Sequence, residues 1–117
     1  MSANKATVQT YMEAFTRTDH AAILSCLTED VEWLIPGMFH ARGKAAFDGE
    51  IEDDAFVGSP TIEVTRMTEE NDVVVAEGRV QCARKEGGLL NAAFRDVFEM
   101  WDAGVKRLSS YLMEVKP

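Results

Sequence analysis

Leu89-Leu-Asn-Ala-Ala-Phe-Arg-Asp-Val-Phe-Glu-Met-Trp101 alternates with a period of two. In an extended chain Ala92, Phe94, Phe98 and Met100 share one face, while Asn91, Arg95, Glu99 and Trp101 take the other. Turn signals bracket the stretch: Glu86-Gly87-Gly88 precedes it and Asp102-Ala103-Gly104 follows it. A third, Glu70-Asn71-Asp72, lies one strand length upstream. Such residues tolerate the left-handed backbone that tight hairpins need. The spacing predicts a four-strand antiparallel meander near residues 61–68, 72–84, 89–101 and 105–115.

Upstream of the meander the period changes. Val8, Tyr11, Met12 and Phe15 recur at helical spacing, which predicts a helix over 4–17. Asp19 is placed to cap a second helix carrying Ile23, Leu24 and Leu27. Val31, Trp33 and Ile35 alternate with Glu32 and Leu34 before Pro36-Gly37, a short strand stopped by turn residues. A third helix is expected in part of 43–55, where Phe47 and Ile51 lie one turn apart and Gly49 weakens the propensity. Helices covering one face of an antiparallel sheet make this an α+β domain spanning 1–117.

The 117 residues carry 12 Lys plus Arg against 20 Asp plus Glu, a net charge of −8. That field repels phosphate backbones and anionic lipid surfaces, so nucleic acid and membrane are not expected partners. No apolar run is long enough to act as a signal peptide or cross a bilayer, and a cytoplasmic protein is expected. Cys26 and Cys82 lack zinc-site spacing and are expected to be buried free thiols. No metal or cofactor is called for. The cluster Glu50, Glu52, Asp53 and Asp54 lacks the ligand pattern of a calcium loop and is read as a solvated rim.

Asp96 breaks the pattern, because it falls on the apolar face of its strand. A carboxylate there must be paired, hydrogen-bonded, or kept protonated by a raised pKa. Either a structural Asp satisfied by an Arg, Tyr or backbone amide, or an acid–base group, meets that requirement. Tyr11 lies in the apolar stripe of the first helix, with a hydroxyl that needs a partner. Arg79 is either an inward cation lining a cavity or a surface side chain. His20 begins the second helix and is expected to face solvent. His40 lies in the loop before the third helix, either an exposed residue or a lid at a cavity mouth.

Tyr11-Met-Glu-Ala-Phe15, Asp19, Glu29-Asp-Val-Glu-Trp33, Ile35-Pro-Gly37, Arg42-Gly-Lys-Ala-Ala-Phe47 and Val97-Phe-Glu-Met100 follow in an order that resembles the nuclear transport factor 2-like superfamily, and within it the SnoaL-like group. The resemblance implies a cone of three helices packed on a strongly curved, mainly antiparallel sheet with an apolar cavity. It also implies pairing through the outer sheet face, where Ala93, Val97 and Trp101 are expected. Members include isomerases, cyclases, dehydratases and epoxide hydrolases as well as proteins without catalysis, so fold does not select the reaction.

Beside ketosteroid isomerase, Tyr11 matches the oxyanion tyrosine and Asp96 the protonated aspartate, while Ile35 stands where the base belongs. Beside limonene epoxide hydrolase, Arg79 matches the arginine, but Gln81 and Ser110 stand in place of the two aspartates. The expected function is a small-molecule pocket, with Asp96, Tyr11 and Arg79 as candidate catalytic residues and a small hydrophobic molecule as partner. From the helices and the first strand the lining is expected to draw Phe15, Trp33, Ile35 and Phe47. From the loops it draws Phe39, His40 and Phe56, and from the meander Gln81, Phe94, Phe98, Met100 and Ser110. Acid–base chemistry on a carbonyl compound and binding without turnover both remain open.

Overall fold

The computed structural model describes residues 1–116. Its elements are α1 (Ala3–Thr16), α2 (His20–Ser25), β1 (Leu27–Ile35), β2 (Phe39–Arg42), α3 (Lys44–Glu50), β3 (Phe56–Glu70), β4 (Val73–Arg84), β5 (Leu89–Trp101) and β6 (Gly104–Glu114). The six strands form one sheet in the order β2-β1-β6-β5-β4-β3. The meander β3 to β6 is antiparallel, as expected, and β1 joins its free edge parallel to β6. The result is the expected α+β cone: a curled sheet with three helices over its concave side.

Local chemistry accounts for the turns. Asn71 and Asp72 close β3–β4 with φ of 51° and 62°, and Asp102 and Ala103 close β5–β6 with φ of 50° and 58°. Two successive left-handed residues give the turn whose twist matches paired strands. Curvature has its own device at Gly78. A Cβ there would meet the Glu63 carbonyl oxygen at 1.8 Å, beside a register shift between Val64 and Arg66. Only glycine lets β4 approach β3 this closely at the bulge that bends the sheet.

Asp19 caps α2 as its sequence predicts, its side chain accepting from the Ala22 N–H at 3.1 Å. Asn4, buried in α1, donates to Glu69 at 2.8 Å and to Asp72 at 3.0 Å, tying the helix to the first hairpin of the meander. Between helices and sheet lies the core, which includes Val8, Ile23, Val31, Phe47, Phe98 and Leu108, all fully buried. Among the described residues no helix is long and apolar enough to cross a membrane.

Several expectations need correction. The segment holding His40 is a strand rather than a loop, and β3 begins five residues earlier than predicted, at Phe56. His20 is not simply solvent-facing: its Nδ1 and Nε2 each contact a carboxylate at 2.6 Å, Asp48 and Glu52 respectively. Cys26 is buried and free, but Cys82 is only half-buried.

Candidate functional site

β5 and β6 place Asp96 and Ser110 directly opposite each other on the concave face of the sheet. Trp33, on the same face of β1, donates from Nε1 to Ser110 Oγ at 3.0 Å. Accepting from Trp33 leaves the Ser110 hydroxyl free to donate to the Asp96 carboxyl opposite, an interaction that pulls the carboxyl's pKa down. No ion pair among the described residues involves Asp96. The carboxyl is therefore satisfied by a neutral hydroxyl and has no cation to hold it ionised.

Around this pair lies a cavity of about 120 Å³. α1 contributes Tyr11, Met12 and Phe15, and β1 contributes Trp33 and Ile35. Ile62 and Val80 come from β3 and β4, Phe94 and Asp96 from β5, Ser110 and Leu112 from β6. Aromatic rings stiffen the wall: Tyr11 meets Phe15 with centroids 5.6 Å apart, and Phe15 meets Trp33 edge-on at 6.1 Å. Trp33 in turn stacks on Phe47 at 4.6 Å and meets Phe39 at 5.1 Å.

Burial governs the titration of the two titratable lining groups, Tyr11 and Asp96. Loss of hydration pushes Asp96 from an ordinary 3.8 up to about 7, with the Ser110 hydrogen bond pulling the other way. Tyr11, 2% exposed, is raised well above 10, first by burial and then by the nearby Asp96 charge and Cys26. At neutral pH the site thus holds a phenol that keeps its proton and a carboxyl poised between its two forms. A phenol can only donate to an anionic oxygen here, whereas the carboxyl can give or take a proton.

The expected lining residues divide three ways. Tyr11, Phe15, Trp33, Ile35, Phe94, Asp96 and Ser110 converge on the cavity. Phe47, Phe98 and Met100 lie in the core behind it, Phe39 backs the Trp33 ring, and Phe56 lines a neighbouring hollow.

Arg79, Gln81 and His40 do not reach the cavity, because each points to the convex face: for Arg79 and His40 this is the surface alternative, and for Gln81 it corrects the expected inward placement. In β4 the inward set is Val74, Ala76, Gly78 and Val80, which turns Arg79 and Gln81 out to solvent, where Gln81 donates to Asn91 at 2.6 Å. In β2 Phe39 and Ala41 face in, so His40 faces out and contacts Glu32 at 2.7 Å. Met12, Ile62, Val80 and Leu112 line the cavity without having been singled out. Met12 belonged to the α1 stripe, and Leu112 shares the inward alternation of Ser110. No group of three or more His, Cys, Asp or Glu side chains among the described residues is arranged to hold a metal ion.

No curated protein matches the chain. Among solved structures, an NTF2-like protein of unknown function from Burkholderia pseudomallei superposes with a TM-score of 0.90 at 20% identity, covering 97% of this chain and 92% of that one. An LEH-like epoxide hydrolase from M. tuberculosis gives 0.82 at 16% identity, over 95% and 83%. TerC, crystallised with polyporic acid, gives 0.84 at 22% identity, over 93% and 90%. At these identities the likeness establishes the fold alone. The model of the SnoaL-like domain, in contrast, matches residues 8–107 of the sequence itself. With most of the chain accounted for by that match and the cone architecture in agreement, the protein belongs to the SnoaL-like family of the nuclear transport factor 2-like fold.

Proposed function

We propose that the protein binds a small hydrophobic carbonyl compound against Asp96 and Tyr11 and transfers a proton on it. The observation that carries this reading is a carboxyl in an apolar cavity with a single neutral partner and a pKa raised to about 7. A proton-transfer group works best when its pKa lies near the working pH. Ionised Asp96 takes a proton from the carbon beside the carbonyl; Tyr11 donates to the oxygen as it gains negative charge. Ser110 positions the carboxyl, and Trp33 positions Ser110. The cavity, at about 120 Å³, is close to the ~150 Å³ void known to accept a benzene ring, so the reacting head is about one six-membered ring in size. The complex of TerC with polyporic acid supports a small-molecule guest on this fold.

Binding without turnover is the second reading. It is favoured by the lack of a second acidic side chain on the cavity wall among the described residues: Ile35 lines that wall, and the family resemblance sets it where ketosteroid isomerase has its base. We further propose that the protein works in the cytoplasm and that two copies pair through the convex sheet face.

Cyclohexanone in D₂O separates the two. Proton transfer predicts enzyme-dependent exchange of the hydrogens beside the carbonyl, rising with pH through about 7 and falling by ~10² or more in Asp96→Asn. Binding without exchange would leave a carrier. No binding of cyclohexanone or any related ketone would remove both readings.

A further inference from the structure

The 120 Å³ cavity is below the ~300–1,000 Å³ usual for small-molecule sites. A second hollow of about 290 Å³ lies beneath the 51–60 segment. Phe15, Ile62 and Val80 belong to the walls of both. These three side chains form a wall common to both hollows, whose volumes sum to about 400 Å³.

The outer chamber has an apolar floor of Ile51, Phe56 and Cys82. Burial raises the Cys82 thiol, as does Asp53 nearby, so it stays neutral and packs as an apolar group. At the rim, the Thr18 and Ser59 hydroxyls hydrogen-bond at 2.7 Å, joining the α1–α2 turn to the start of β3. Glu52, Asp53 and Asp54 stand at this rim against one cation, Lys85. Glu52 is partnered by His20, so an anionic tail end would meet the carboxylates of Asp53 and Asp54 against the single ammonium of Lys85, and the chamber selects against it.

We propose that the outer chamber is the second half of the binding site. It takes the neutral aliphatic or aromatic tail of an elongated ketone whose carbonyl head reaches Asp96, and Phe15 sets the shape accepted at the junction. The assignment rests on the head-group reading above and adds the substrate class: a neutral, elongated carbonyl compound rather than a single ring or a fatty-acid-like carboxylate.

The test is a calorimetric titration of the protein with cyclohexanone, 4-propylcyclohexanone and 4-pentylcyclohexanone. Each methylene that finds room in the outer chamber is expected to tighten binding about fourfold, the equivalent of ~0.8 kcal/mol per buried CH₂. Cys82→Phe fills the chamber from the sheet side and Ser59→Trp covers it from the exposed rim. Each is expected to bring the ratio of the pentyl to the parent affinity down toward one, and the exposed position of Ser59 guards against a failure to fold. A flat chain-length series in the unsubstituted protein, or a gain that survives both substitutions, overturns the two-chamber site and leaves the head-group reading standing. Absence of binding across the whole series overturns both.

Discussion

The apolar walls that let the cavity accept a guest also make Asp96 a poor anion. Its carboxyl titrates near 3.8 when solvated and at about 7 in the fold, so between those values the native state holds a proton the unfolded chain has released. Stability is accordingly greatest below about 4, falls as pH rises toward 7, and then levels off. Asp96→Asn removes this dependence. Unfolding in urea is expected to show the variant more stable at pH 8, with a ceiling of about 4 kcal/mol, and little changed near pH 4. Equal shifts at both pH values would contradict the raised pKa. Ser110→Ala tests the neighbouring link. Loss of its hydrogen bond is expected to move the Asp96 titration midpoint, read by NMR, further upward, since that bond is what lowers it. The same substitution leaves Trp33 Nε1 without its acceptor at an expected cost of ~1–3 kcal/mol.

Between elements, His20 is a polar fastening on the helical side, held by Asp48 of α3 and by Glu52 beyond it. Both contacts raise the imidazole pKa, the Asp48 hydrogen bond most and the Glu52 bond next. Both ring nitrogens donate only in the imidazolium form, so the clamp is complete below the ordinary value of 6.5 and lost as pH rises through the raised one. Amide exchange across α3, corrected for intrinsic rate, is expected to lose protection between pH 6 and pH 9. In His20→Gln that pH dependence should vanish, and its persistence would assign the opening to another group. Legibility from sequence also differed by element. β5 reads unambiguously because Ala92, Phe94, Phe98 and Met100 fix the inward face and Asp96 with it. β4 begins Val73-Val-Val and passes through Gly78, so its apolar content suits either facing: Arg79 reads as inward or surface, and only family likeness points Gln81 inward. β2 has four residues, too few to show a period. β3 is disguised by Gly58 and Pro60, tolerated there because β3 is an edge strand whose pairing is interrupted between Val57 and Thr61.

Across the whole molecule, charge and apolar surface separate onto different sides. The convex sheet face carries Arg66, Arg79, Arg95 and Arg107 against Glu63, Glu77 and Glu99, with Glu77 bridging Arg66 at 2.6 Å and Arg95 at 2.8 Å. The net −8 therefore resides elsewhere, much of it in the acidic run of α3 and the segment after it. Two copies approaching through the acidic side of α3 meet like charge; through the convex face they meet a balanced grid. That face also exposes Trp101 at 68%, Tyr111 at 50% and Met113 at 73%, aromatic and Met side chains of the kind that anchor interfaces. Light scattering at about 50 μM, where a standard-size interface of micromolar affinity is filled, is expected to give twice the 13.0 kDa chain mass. Met113→Glu, at a position whose side chain supports no monomer packing, should return the mass to that of one chain with little change in unfolding midpoint. A single-chain mass for the unsubstituted protein at that concentration would leave Trp101 and Met113 as plain exposed residues, and the pairing would have to be abandoned.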